Sequence, residues 1–141
     1  MTEFEDCIKQ GRIVQVEIDE DWMRKEFEEA NYDLSKASES IEHKDFKWAI
    51  VQGYYSMFHA AKALVLSAGY REKSHNCLII ALRELFIEKK KLEREYSNYI
   101  EEAMDLRHQA DYGLEYSEEE SGIVVENAGK FVKAAGNLLK Y

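Results

Sequence analysis

Not one of the 141 residues is proline, and only 7 are glycine. Pro and Gly are the strongest local breaks in regular structure, so a chain this poor in both has few places to interrupt a helix. Ala, Glu, Lys and Leu, all good helix formers, are abundant. The expected fold is therefore all-α: an up-and-down antiparallel bundle of about five main helices in a single domain, residues 1–141. A domain of about this size buries roughly 68–70% of its unfolded surface, enough for a core without disulfides.

Periodicity locates the helices. Val14, Val16 and Ile18 alternate as in a strand, but no second segment offers itself as a partner, so residues 1–19 are read as an extended or short-helical lead-in. From Asp21 the spacing changes to 4-3-4-3-4 at Met23, Phe27, Ala30, Leu34, Ala37 and Ile41, one face of an amphipathic helix. The next helix follows Asp45, a candidate cap, and stops near Gly69. It carries two apolar stripes, one through Ile50, Tyr54, Met57, Ala61, Leu64 and Ala68, the other through Trp48, Val51, Tyr55, Phe58 and Val65, interrupted by Lys62. A helix apolar on two sides is central in its bundle, or gives one stripe to a second chain around Tyr54, Tyr55 and Phe58. Ser74 opens a fourth helical segment. A fifth runs from about Leu92 to Asp111-Tyr112-Gly113, and Ser117 caps a last helix that begins "SEEE".

Charge and cysteine content exclude several classes. The formal net charge of −9 argues against a general nucleic-acid coat, whose affinity rests on neutralising phosphates. The balance is uneven, however: Lys62 to Arg94 holds eight basic residues against four acidic ones. Within it, Lys62 and the stretch "GYREKSH", with Arg71, Lys73 and His75, are expected to form a cationic rim. Cys7 and Cys77 lack metal-binding spacing and are expected to be two reduced, partly buried thiols. The acidic N-terminus has no apolar run, so neither a leader nor a membrane span is read, and a cytoplasmic location is expected. The four histidines are too scattered for a metal site, and no phosphate-cradling glycine loop is present, so no cofactor or metal is expected.

The densest chemistry lies in "DLRHQADYGLEY", residues 105–116. On a helix Arg107 neighbours Asp111, while His108 neighbours Asp111 and Tyr112. The plain reading is an i,i+4 ion pair and a histidine favourably placed at a helix C-terminus. The functional reading makes Arg107 a planar fork for phosphate, oriented by Asp111, with the Tyr112 hydroxyl beside it. On the third helix Tyr55, His59 and Lys62 lie on one line.

Taken together, "YYSMFHAAKAL", "GYREKSH" and the Arg-x-x-Ala-Asp-Tyr run at 107–112 resemble the HEPN superfamily, in its small stand-alone prokaryotic and archaeal branch. The resemblance covers roughly residues 20–140. It implies a dimerising helical bundle with a cleft at or near the dimer interface. It also implies a minimal nucleotidyltransferase as partner and a place in toxin–antitoxin or defence systems. Active members are metal-independent endoribonucleases with an arginine followed four to six residues later by a histidine. Arg107 matches the arginine, but the histidine slots hold Tyr112, Gly113 and Leu114. His108 directly follows Arg107 and projects about 100° away from it on a helix.

The leading expectation is thus a homodimeric nucleotide- or RNA-binding module. Its ligand-binding set is Arg107, Asp111, Tyr112, Tyr55, His59, Lys62, Arg71, Lys73 and His75. The alternatives are an endoribonuclease using Arg107 with His108, His59 or Tyr112, and a non-catalytic protein-interaction module.

Overall fold

The computed structural model describes residues 1–141. Its elements are α1 (Glu3–Lys9), β1 (Ile13–Gln15), α2 (Glu20–Glu42), α3 (Phe46–Ser67), β2 (Tyr70–Glu72), α4 (His75–Leu82), α5 (Arg94–His108) and α6 (Glu118–Leu139). Two helices widen at their C-terminal ends into single π-type turns, Arg83–Ile87 after α4 and Gln109–Gly113 after α5. The all-α bundle expected from composition is what forms, with four long helices and a shorter α4.

Local chemistry sets the boundaries. Asp19 begins α2 by accepting a hydrogen bond from the Trp22 N–H at 3.1 Å, Ser74 begins α4 by accepting from Cys77 N–H at 3.1 Å, and Ser117 begins α6 by accepting from Glu120 N–H at 3.0 Å. Each satisfies one of the donors a helix start leaves open. Asp45 occupies the cap position of α3 but makes no side-chain capping bond. Gly69, at φ +87°, turns the chain from α3 into β2, a conformation that costs glycine little.

Helix α3 is the centre of the bundle and packs against α2, α4, α5 and α6. Both of its apolar stripes are largely consumed inside the chain. Ile50, Tyr54, Met57, Ala61 and Leu64 are at most 1% exposed, and Val51 and Val65 are buried too. Each fully buried large side chain contributes about 1.5–3 kcal/mol. The Tyr54 ring is thus spent within the chain and offers no surface to a dimer seam, whereas Tyr55, Phe58, Trp48 and Ala68 of the two stripes remain at least partly accessible. The α3–α6 contact depends on Gly53, where an added Cβ would lie 2.7 Å from Val124 Cγ1.

The N-terminal segment departs from expectation in two ways. β1 has a partner after all, pairing antiparallel with β2 in the register Ile13–Glu72, Val14–Arg71 and Gln15–Tyr70. Three-residue strands are too short for periodicity to reveal both, and "YRE" carries no alternation. Cys7 and Cys77 are not separate thiols: α1 lies on α4 and the two sulfurs form a disulfide. Both cysteines are buried. Seventy residues separate them, and nothing local in the sequence signals the pairing.

Candidate functional site

Three elements converge on one stretch of α3. Successive turns of α3 carry Tyr54, Tyr55, Phe58, His59 and Lys62; the C-terminal end of α5 brings Arg107; the first residue of α4 is His75. The Arg107 guanidinium lies over both tyrosine rings, 5.5 Å from the centre of Tyr54 and 5.2 Å from that of Tyr55. Its Nε donates to Asp111 Oδ2 at 3.2 Å, across the junction between α5 and its widened last turn. That is its single hydrogen bond, so the two terminal NH2 groups of the fork have no partner within the chain. The Arg107 and Asp111 side chains are 21% and 25% exposed. A planar cation held flat on aromatic faces and tethered through Nε keeps a two-pronged donor edge available, the geometry that matches a phosphate or carboxylate.

His75 sits against the same two tyrosines. Its ring centre is 5.8 Å from Tyr54, 6.3 Å from Tyr55 and 4.4 Å from Phe58. Its Nδ1 is 2.6 Å from the Tyr54 hydroxyl. Burial pushes the Tyr54 hydroxyl well above its ordinary range, opposed by Arg107 and reinforced by Tyr55, so Tyr54 stays protonated and needs an acceptor. His75 Nδ1 is the acceptor it has. With Tyr54 as the donor, the imidazole is assigned the neutral form with its proton on Nε2. Burial first, then the charges of Arg107 and Lys62, hold His75 below the usual histidine value, which agrees with this assignment.

One turn further along α3 the chemistry is closed. Lys62 Nζ lies 3.4 Å from Glu26 Oε2 and 3.5 Å from Glu72 Oε1, so it is no free cation of a positive rim. His59 Nδ1 is 2.8 Å from Glu26 Oε1, and its Nε2 faces Asp33 Oδ2 at 3.8 Å. Burial alone would raise Glu26, but the His59 hydrogen bond and the Lys62 charge hold its carboxyl below the usual range. Burial raises Asp33, opposed by His59, and raises Glu72, opposed by Lys62. This cluster ties α2 and β2 to α3.

The remaining candidates are scattered. Tyr112 is 71% exposed and turns its ring to His108, 4.7 Å between centres, rather than to Arg107. His108 is exposed on that same side. Arg71 lies over the Trp22 ring at 5.5 Å, and Lys73 is exposed, its backbone N–H donating to Arg12 O at 2.8 Å. Of the sequence-derived set the structure thus joins Arg107, Asp111, Tyr55 and His75. It places His59 and Lys62 in the adjoining ion-pair cluster and leaves Tyr112, His108, Arg71 and Lys73 outside. Sequence reasoning missed Tyr54 and Phe58 as the aromatic floor. Their i,i+4 spacing with each other, and that of Tyr55 with His59, was the available signal.

Comparison with known proteins adds the family. Residues 21–140 match the HEPN domain, so α1 and β1 lie ahead of the matched region. Two proteins of Methanocaldococcus jannaschii, each named as a candidate toxin, are 32% identical to the chain. One aligns over 112 residues, 79% of this chain and 84% of the relative; the other over 114 residues, 74% and 78%. A UPF0332 protein of Archaeoglobus fulgidus is 36% identical over 86 residues, 60% of this chain and 68% of its own. Among solved structures, a crystal structure of a Thermus thermophilus protein superposes with a TM-score of 0.68 over 82% of this chain and 96% of that one. At 16% identity it speaks for the fold alone.

Proposed function

The chain belongs to the HEPN domain family, and on that premise we propose that it is the helical binding member of a toxin-like pair. It acts as a homodimer that holds the phosphate of a nucleotide or RNA on Arg107 and works with a minimal nucleotidyltransferase. The observation that carries this reading is the state of Arg107: seated on two tyrosine rings, oriented by Asp111, and with both terminal nitrogens unoccupied. A purely structural arginine at 21% exposure would spend those nitrogens on carbonyls or a second carboxylate. Tyr55 and Phe58, half-buried beside it, supply faces on which a base can stack, worth about 1–3 kcal/mol per base.

Binding is favoured over cleavage. The positions that would carry the family's histidine hold Tyr112, Gly113 and Leu114, and Tyr112 is exposed with its ring against His108. Dimerisation would bring α3 towards the two-fold axis, with Tyr55 and Phe58 left facing a cleft at the interface.

Titration of the purified protein with the dinucleotide UpU at low salt tests the reading. Saturable binding that Arg107→Ala abolishes supports it; binding that survives Arg107→Ala refutes the site. Cleavage of RNA in EDTA by the wild type, lost in Arg107→Ala, would move the protein to the enzyme class. Sedimentation at micromolar concentration giving a monomer mass would remove the dimer, and absence of a nucleotidyltransferase from material co-purified from the native host would remove that partner.

A further inference from the structure

We propose that His75 is the second arm of the Arg107 anion site, and that it takes up a proton when an anion binds there. The inference rests on the anion-binding reading of Arg107 and specifies how that site responds to its ligand.

Arg107 and His75 come from different helices and meet on the same two rings. The guanidinium is 5.5 and 5.2 Å from the Tyr54 and Tyr55 centres, and the imidazole is 5.8 and 6.3 Å from them. With Nδ1 accepting the Tyr54 hydroxyl proton at 2.6 Å, Nε2–H has no partner in the chain and is not sealed from solvent. A phosphate oxygen beside the Arg107 fork is a suitable acceptor for it.

The charge balance explains the coupling. The groups that set the state of His75 are Tyr54, Tyr55 and Lys62 on α3, and Arg107 backed by Asp111 on the end of α5. Glu26 and Glu72 already neutralise Lys62. In the free protein the imidazole is half-buried and has Arg107 and Lys62 as its cationic neighbours, so burial first and then those charges disfavour a second proton. A bound anion cancels the Arg107 field and adds a negative charge of its own. The imidazolium then becomes the favoured form. The added proton comes from solvent and goes to Nδ1, and Nδ1–H then donates to Tyr54 Oη, reversing the direction of that hydrogen bond. No bond other than N–H and hydrogen bonds changes.

A group that binds more protons in the complex than in the free protein makes binding tighter as pH falls through the interval between its two pKa values. The probes must not titrate themselves, which selects inorganic sulfate and UpU. The expected result is binding of either several-fold tighter at pH 5.5 than at pH 7.5, a one-unit rise in the His75 pKa capping the gain at about tenfold. His75→Gln should bind with a flat pH profile. NMR of the wild-type His75 ring, free and saturated with UpU, should show its pKa rising, and this readout needs no variant. An unmoved His75 resonance, or the same pH slope in His75→Gln, overturns the inference while leaving Arg107 as an anion site. Failure of the wild type to bind either probe at any pH overturns both.

Discussion

Replacing Arg107 by lysine separates the anion fork from a surface ion pair, because lysine keeps the charge and discards the planar donor edge. The structure sets the scale. The pair with Asp111 is i,i+4 and partly exposed on both sides, 21% and 25%, so it is worth about 0.3–0.5 kcal/mol. The stack on Tyr54 and Tyr55 adds roughly 0.5–1 kcal/mol, part of which an ammonium retains. Arg107→Lys should thus destabilise the fold by under about 1 kcal/mol, a fall in Tm of about 2–4 °C for a chain of this size. Asp111→Ala should cost about 0.5 kcal/mol by the same reasoning. The roughly 3–5 kcal/mol that follows from stranding a fully buried charge does not apply at this exposure. Binding should respond differently. Loss of one charge-assisted hydrogen bond is worth about 1.5–3 kcal/mol, so Arg107→Lys should weaken UpU binding at least about tenfold. Thermal unfolding and UpU titration on the same two variants measure both quantities. Affinity within about twofold of wild type in Arg107→Lys, or destabilisation above about 3 kcal/mol in either variant, would refute the reasoning.

Three further outcomes follow from other parts of the molecule. Reduction of the Cys7–Cys77 bridge opens a loop of 70 residues, and the chain-entropy estimate is about 4 kcal/mol. Melting with and without dithiothreitol should show a large drop in Tm for wild type and none for Cys7→Ser. Gly53→Ala places a methyl 2.7 Å from Val124 Cγ1; overpacking of about 1–3 kcal/mol should exceed the helix-propensity gain of about 1 kcal/mol, and Val124→Ala in the same chain should restore part of the loss in urea unfolding. Glu72 has its folded pKa raised by burial, so its contribution to stability is full below the ordinary carboxylate range and is lost as pH rises through the raised value. Glu72→Gln should then melt at or above wild type at pH 7 and converge with it near pH 4, whereas a variant clearly less stable at pH 7 would mean that the Lys62 pair dominates.

The helices were legible because their signals are local. The 4-3-4-3-4 spacing of α2, the doubly apolar α3 and the capping residues Ser74 and Ser117 each act within a turn or two of chain, and all appear where periodicity put them. The features that were not legible depend on contacts between distant segments. The β1–β2 pair joins residue 13 to residue 72, the disulfide joins Cys7 to Cys77, and the His59–Glu26 hydrogen bond joins α3 to α2. The same division runs through the site. Arg107–Asp111 is an i,i+4 pair and was readable, while the neutralisation of Lys62 by Glu26 and Glu72 needed three elements to be brought together. A cationic segment counted along the chain is therefore a poor guide to a cationic surface: Arg83 pairs with Glu101 and Arg94 with Glu88 as well.

The absence of a histidine at positions 112 to 114 takes on a different meaning once the fold is known. Positions 112 to 114 lie on and just beyond the widened turn, where Tyr112 and Leu114 are 71% and 73% exposed, so side chains there are presented outward rather than to the tyrosines beneath Arg107. The imidazole that does share those tyrosines comes from the start of α4, a helix whose third residue, Cys77, is bonded to Cys7 of α1. The start of α4 is further held by β2, through the backbone pairing with β1 and the Lys73–Arg12 bond at 2.8 Å. The N-terminal segment ahead of the family match is thus the clamp on the element that carries His75. Its contribution to the site is positional: it supplies none of the side chains around Arg107, yet it restrains the backbone that sets the Tyr54–His75 hydrogen bond. A site whose arginine is fixed by its own helix turn and whose histidine is fixed by a distant disulfide and a two-stranded pair has one rigid arm and one arm that depends on the clamp. Changes in residues 1–19 should therefore be felt at His75 before they are felt at Arg107.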